Sequence, residues 1–308
     1  MGIPKGGVAF FDSGIGGLNV LSACLPSLRR LPVYYLGDNA RAPYGNKSKE
    51  ELAPFVFAAF DAFAALRSQA AVIACNTVTA LFIDELRARY SFPIIGTEPA
   101  VRLAAKSGGE IFMLATNATV SSTRMRALVL KTEKEFPNAK IRLMPCGKLA
   151  GEIERHILEA DYDFTPFLPK GNPNAVVLGC THYAYIQKTL EDFYGCQTFH
   201  GNAGIVKTLV KNLPVLSKKT GEKGKKIPII SSQNASSFFE RKKSLKIPRF
   251  SINFLPKKSK KIRKFKFAQP LYFLGSGRFL NANFYKQMFV FKSNREKVVE
   301  NPQKNQFF

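Results

Sequence analysis

From Val8 to His200, short apolar runs alternate with longer stretches of helical character, and that alternation leaves few folds open to this chain. The strand candidates are Val8–Phe11, Val33–Leu36, Ala71–Ala74, Ile94–Ile95, Ile111–Leu114, Ile141–Met144 and Ala175–Leu178. Most are continuous apolar runs, the pattern of strands buried on both faces. Between them lie helical patterns such as Lys49 to Gln69, opened by Ser48 as N-cap, and Ser122 to Glu135. Strands spaced by helices of about 10–20 residues predict parallel sheets with helical crossovers.

An internal echo refines this expectation. The strand ending in Phe11-Asp12-Ser13-Gly14 has a counterpart ending in Leu114-Ala115-Thr116-Asn117. The run Ala70 to Ala74 leads into Cys75-Asn76-Thr77, just as Ala175 to Gly179 leads into Cys180-Thr181-His182. The expected fold is therefore α/β, with two similar doubly wound parallel-sheet domains and the active site between them. The seam falls near Thr97-Glu98-Pro99. Domain one is expected to span residues 1–97, completed by about 205–248, and domain two residues 98–204, followed by a basic extension over 249–308. Ile227–Ser231 reads as the returning strand and Ala235–Leu245 as a helix.

Charge marks the same boundary. Residues 205–308 hold 25 of the 46 Lys and Arg residues but 4 of the 22 Asp and Glu. The basic character thus belongs to the last third and says little about the rest. Lys257, Lys258, Lys260, Lys261, Arg263, Lys264 and Lys266 crowd one stretch, so partial disorder is expected there. The five cysteines are odd in number and widely spaced, which fits neither a disulfide framework nor a metal site. Cys24, Cys146 and Cys196 read as plain buried or half-buried residues. The sequence holds no apolar run of 18 or more residues, and Gly6 stands where a myristoylation motif needs Ser or Thr. The expected compartment is the cytoplasm.

Two thiols at the carboxyl ends of equivalent strands lie where open α/β sheets bind ligands. A pair facing one pocket could take a proton from one face of a carbon and return one to the other. Each thiol is expected to precede a helix, whose free N–H groups and dipole favour a thiolate or a carboxylate. Asp12, at the end of the first strand, could bind an ammonium group, orient a catalytic partner or serve as a helix cap. Gly14-Ile15-Gly16-Gly17 does not have the spacing of a dinucleotide fingerprint, which argues against NAD. No phosphate-binding signature for pyridoxal phosphate is evident. Arg41-Ala42-Pro43-Tyr44-Gly45 alone reads as an ordinary turn.

Taken together, FDSGIGGLNVL (11–21), GDNARAPYG (37–45), ACNT (74–77), LATNATVSS (114–122) and VVLGCTHY (176–183) resemble the cofactor-independent glutamate racemases, in their order and approximate spacing. The resemblance covers residues 8–204 well and 205–250 faintly. It implies interconversion of L- and D-glutamate for peptidoglycan synthesis, with no cofactor and no metal. It also implies a two-base mechanism in which Cys75 deprotonates D-glutamate and Cys180 L-glutamate. Asp12, Ser13, Tyr44, Gly45, Asn76, Thr77, Thr181 and His182 match the family's substrate-contacting pairs. Pro145-Cys146 followed by Glu154 matches a further family segment, so that Asp12, Glu154 and His182 would tune the thiols and shuttle protons.

The chain departs from the family at Phe199-His200-Gly201-Asn202, where many relatives carry an aspartate, and in its lysine-rich return. An aspartate racemase or related isomerase of the same fold is the alternative, although the GCTH ending favours glutamate. The partner expected is small-molecule glutamate, with a homodimer left open and no membrane. A reading of another class gives the basic tail a polyanion or nucleic acid to bind, through Lys/Arg clusters interleaved with Phe265, Phe267, Tyr272 and Phe273.

Overall fold

A computed structural model describes residues 6–28, 31–157, 159, 161–213, 251–253 and 271–275 of the chain. All seven expected strands are present. Val8–Asp12 (β1), Val33–Gly37 (β2), Ala70–Ile73 (β3) and Ile94–Gly96 (β4) pair in parallel in the order β4-β3-β1-β2. Gly109–Ala115 (β5), Ala139–Pro145 (β6), Ala175–Gly179 (β7) and Gln197–Phe199 (β8) form a second parallel sheet. Read from its other edge, that sheet runs β8-β7-β5-β6, so the two sheets share one strand order. The echo between Asp12 and Ala115, and between Cys75 and Cys180, is thus an equivalence of position.

The helices connecting the strands are Leu18–Cys24 (α1), Lys49–Ala65 (α2), Asn76–Arg89 (α3), Val101–Ala105 (α4), Asn117–Ser121 (α5), Thr123–Glu135 (α6), Leu149–His156 (α7) and Gln187–Tyr194 (α8). A ninth, Asn202–Asn212 (α9), returns to pack on α1 and β4 of the first sheet. Beyond it, Leu271–Gly275 (β10) lies parallel to β2, and Ser251–Asn253 (β9) antiparallel to β10. Both belong to the segment expected as a basic extension. The return strand expected at Ile227–Ser231 and the helix at Ala235–Leu245 lie outside the described residues.

Alternation along the strands sorts side chains into three buried clusters. Ala9 and Phe11 face one cluster with Phe60 and Phe63, on the outer side of the first sheet. Ile111, Met113 and Val177 face another, on the outer side of the second. The third is continuous across both sheets, running from Val8, Phe10 and Val72 to Leu114, Val176 and Leu178. Loops at the strand ends are therefore carried on one shared core. Among the described residues, no helix is long and apolar enough to cross a membrane.

The expected N-cap at Ser48 is a full capping box. Ser48 Oγ accepts from Glu51 N (3.2 Å), and Glu51 Oε2 accepts from Ser48 N (2.7 Å). Both bonds satisfy donors that the helix cannot. Ser48→Ala should lower stability by about 1 kcal/mol, read as a lower urea midpoint with an unchanged slope. An unchanged midpoint would show that the cap contributes nothing.

Candidate active site

The carboxyl ends of β1, β3, β5 and β7 bring the predicted residues together. Asp12 ends β1 and is wholly buried. Its Oδ2 accepts from Gly14 N (2.9 Å), while Oδ1 has no hydrogen-bond partner among the described residues. Burial pushes the Asp12 carboxyl up, against the charge of His182 and the amides of Gly17 and Gly14, which pull it down. Ser13 follows, with its Oγ 3.7 Å from Cys75 Sγ. Cys75 caps α3, so the thiol stands at the N-terminus of that helix, as expected. Burial, reinforced by the negative charge of Asp12, pushes the Cys75 thiol up to about 12. The same thiol also feels the charge of Cys180, which puts the two sulfurs in one electrostatic environment.

The second half of the site is built around His182. Cys180 Sγ lies 3.6 Å from His182 Nδ1, and His182 Nε2 lies 2.8 Å from Glu154 Oε1. Burial alone would lower the His182 pKa, but the hydrogen bonds to Cys180 and Glu154 outweigh it and hold the ring well above its ordinary value. As an imidazolium it donates from both nitrogens. Glu154 Oε1 also accepts from Ile15 N (3.1 Å), on the loop after β1. Glycines make this approach possible. A Cβ on Gly14 would overlap the Glu154 carboxylate, and one on Gly16 would lie 2.5 Å from Thr181 Oγ1 and from His182 Nδ1.

Further ties cross between the halves. Thr77 Oγ1 and Thr116 Oγ1 share a hydrogen bond across them at 3.0 Å, while within the first half Asn76 Nδ2 donates to Thr97 O (3.2 Å). Tyr185 OH donates to Ile15 O (2.8 Å). Tyr44 is buried, with its hydroxyl donating to Asp38 Oδ2 (2.6 Å), and Asp38 Oδ1 accepts from Arg41 Nη1 (2.7 Å). The phenol is therefore committed to Asp38, and the Tyr44 carbonyl accepts from Lys47 N (3.1 Å). Gly45 packs on Thr116 so closely that a Cβ there would overlap its side chain. An open cleft of about 580 Å³ starts at Gly45 and is lined by Lys47, Ser48, Asn117 and Lys148 among others.

One expectation needs correcting. Cys180 precedes a 3-10 segment, Thr181–Ile186, rather than an α-helix, and α8 starts only at Gln187. Tyr183 N bonds to Cys180 O at three residues' spacing, and Tyr183 OH reaches Cys146 O (3.1 Å) while Tyr185 OH reaches Ile15 O. The cation facing Cys180 is thus the His182 ring, with less from a helix dipole. Cys24 and Cys146 are buried and Cys196 is half-buried, as expected. Sequence reasoning passed over Asp38, Arg41 and Thr116 as supports of the site. The acid and the arginine within six residues of Tyr44 were the available signal for the first two.

The pattern of the Asp/Glu/Hydantoin racemase family matches residues 17–209. This chain belongs to that family. It is 37% identical over 200 residues to a Clostridium botulinum (strain Okra / Type B1) glutamate racemase, covering 62% of this chain and 77% of that protein. Among solved structures it resembles Escherichia coli glutamate racemase in complex with L-glutamate and the activator UDP-MurNAc-ala, with 25% identity and a TM-score of 0.60 over 78% of this chain and 95% of the other. It also resembles Francisella tularensis glutamate racemase in complex with D-glutamate, with 27% identity and a TM-score of 0.56 over 72% and 86%. The chain is thus an isomerase of the racemase family, and the curated relative and the two solved structures described above are glutamate racemases.

Buried thiols give this racemase a pH signature in its stability. Cys24, Cys75 and Cys146 are each pushed up to about 12 by burial. In an unfolded chain a thiol titrates near ~8.5. Between those values the unfolded chain releases protons that the fold retains, so this stability is full below about pH 8.5 and is lost as the pH rises towards 12. Cys24 lies outside the site. Cys24→Ala should be less stable than wild type at pH 7, and the gap should shrink by about 1–2 kcal/mol at pH 10. Urea unfolding at both pH values measures it, and an equal gap at both would refute the retained proton.

Proposed function

We propose that this racemase interconverts L- and D-glutamate by a two-base mechanism without a cofactor. The observation that carries the reading is the positional equivalence of Cys75 and Cys180, one after β3 and the other after β7 in sheets of the same strand order. The hard step is removal of the α-hydrogen, because the carbanion is poorly stabilised and the bond is scarcely acidic. Two sulfur bases on opposite faces divide the task, one accepting a proton while the other donates.

The two halves are suited to unlike resting states. Cys180 beside an imidazolium has the partner a thiolate needs. Cys75, pushed up by burial and Asp12, stays a thiol. In that state Cys180 takes the α-proton of L-glutamate and Cys75 delivers its own to the opposite face, giving D-glutamate. The reverse reaction starts from the opposite protonation, with Cys75 as base.

Asp12 Oδ1, buried and without a hydrogen-bond partner among the described residues, is suited to the substrate ammonium. The first N–H groups of α3 at Asn76 and Thr77 have no intrahelical acceptor and suit a carboxylate, as do Ser13 and Thr181 across the gap. The backbone of Tyr44 and Gly45 holds the other end of the substrate. Glu154 and His182 tune Cys180 and move its proton. We also read residues 98–204 as the second domain, the setting as cytoplasmic, and the D-glutamate as destined for peptidoglycan synthesis. The Lys and Arg surplus of residues 205–308 supports a second reading, polyanion binding, which salt-sensitive DNA affinity of the full chain would bear out.

Serine in place of either cysteine leaves a hydroxyl too weakly acidic to serve as the base. Cys75→Ser and Cys180→Ser should each slow racemisation by about 10²–10⁴-fold or more. In deuterated water, Cys75→Ser should still exchange the α-hydrogen of L-glutamate, and Cys180→Ser that of D-glutamate, without inversion. Proton NMR reads both. A wild-type chain that exchanges neither enantiomer would end the proposal.

A further inference from the structure

Asn19 is the one polar residue among the buried residues of α1, which are otherwise Leu18, Val20, Leu21 and Cys24. Its neighbours Leu18, Val20 and Leu21 are buried hydrophobics, and Asn19 itself is 4% exposed. Burying an amide is costly unless its hydrogen bonds are made, and here three are. Asn19 Nδ2 donates to Gly16 O and, at 2.6 Å, to Thr181 O. Asn19 Oδ1 accepts from Asn202 Nδ2 at 2.8 Å. These partners lie on three separate pieces of the fold: the loop after β1, the turn after Cys180, and the first residue of α9. The orientation of the amide is fixed by them, since a flipped amide would set its oxygen against two carbonyl oxygens.

We infer that Asn19, held by Asn202, is a positioning residue for the Cys180 half of the site. It acts by gripping the carbonyl of Thr181, the residue between Cys180 and His182. That carbonyl lies on the peptide that joins Thr181 to His182, so fixing it orients the ring that faces Cys180 Sγ. An amide suits the task because it has no charge to disturb Asp12, Cys180 and His182 around it. The same side chain ties the Gly16 loop to the Cys180 turn, so the face carrying Asp12 and the face carrying Cys180 keep their separation. Asn202 extends the grip to α9, which makes the returning helix part of the support of the site.

This inference rests on the reading of Cys180 as a base, so its test uses a readout that needs no substrate. Iodoacetamide alkylates a thiol through its thiolate, and peptide mass spectrometry follows each cysteine separately. In the full chain, Asn19→Leu keeps the bulk and removes the grip. Cys180 alkylation should slow about tenfold while Cys75 changes less than about twofold, since only the pairing with His182 is disturbed. Racemisation by the same protein should lose about 10- to 100-fold in kcat with KM little changed. Should Asn19→Leu fail to fold, Asn202→Ala removes only the outer link, and should slow Cys180 alkylation about threefold. Equal Cys180 rates in wild type and the folded variant overturn the inference. If the alkylation difference is present but wild type does not racemise glutamate, it is the assignment of substrate that fails, and the positioning role stands.

Discussion

One carboxylate oxygen binds both halves of this molecule at the site. Glu154 Oε1 accepts from His182 Nε2 on the Cys180 turn and from Ile15 N on the loop after β1. Without it, the imidazolium would be a buried cation lacking its counter-ion, and such a charge is strongly destabilising. The ring would also lose one of the two hydrogen bonds that hold its pKa up, leaving only that with Cys180. The close fit also sets a steric condition on the opposite loop. Gly14 and Gly16 are required there because a methyl group at either would occupy space taken by Glu154, Thr181 or His182. Charge balance and backbone shape are thus one constraint: the loop that carries Asp12 can be this close only if it has no side chains where the second half approaches.

The same constraint explains how the two thiols differ on similar frameworks. Both cysteines follow a buried parallel strand, and both cap the segment after it. Their surroundings diverge at the next side chains. Cys75 is held as a neutral thiol by burial and the carboxyl of Asp12, against the hydrogen bond with Ser13, whereas Cys180 has His182 at 3.6 Å. Equivalent positions with unlike neighbours are what a pair of complementary acid and base requires. Duplication of a strand order supplies the symmetry of the site, and a few residues beyond the strands supply its asymmetry.

Local pattern was enough to read the alternating elements, since buried parallel strands and a capped helix leave signatures within a few residues. The seven apolar strands, the cap at Ser48 and the paired cysteines all belong to that class. Gln197–Phe199 was missed because a three-residue strand with a glutamine and a threonine has no apolar run to betray it. Leu271–Gly275 is apolar, but its place beside β2 depends on pairing across more than 200 residues, which no local period encodes. The supports of the site were hidden for the same reason. Thr116 matters because Thr77 is 3.0 Å away, and Asn19 because Thr181 and Asn202 converge on it. Asp38 and Arg41 were nearer to legible, being close in sequence to the tyrosine they hold. The turn after Cys180 misled because Thr181-His182-Tyr183 after a strand suits a 3-10 segment as well as an α-helix.

The asymmetry of the thiols must also obey a constraint from outside the protein. Enantiomers have the same free energy in water, so the equilibrium constant of a racemisation is unity, and kcat/KM must be the same in both directions. A resting state prepared for one enantiomer, as the proposed two-base mechanism requires, cannot favour net conversion to the other. What it can do is distribute the barrier differently. The enantiomer that matches the resting protonation meets a ready base. The other must bind the minor protonation state, which lowers its apparent affinity by the fraction of that state present. The difference has to reappear, with opposite sign, in kcat. The unequal surroundings of Cys75 and Cys180 therefore bear on KM and kcat separately for each enantiomer while their ratio stays common. That is how a site built from two similar halves with dissimilar side chains can serve a reaction whose substrate and product are mirror images.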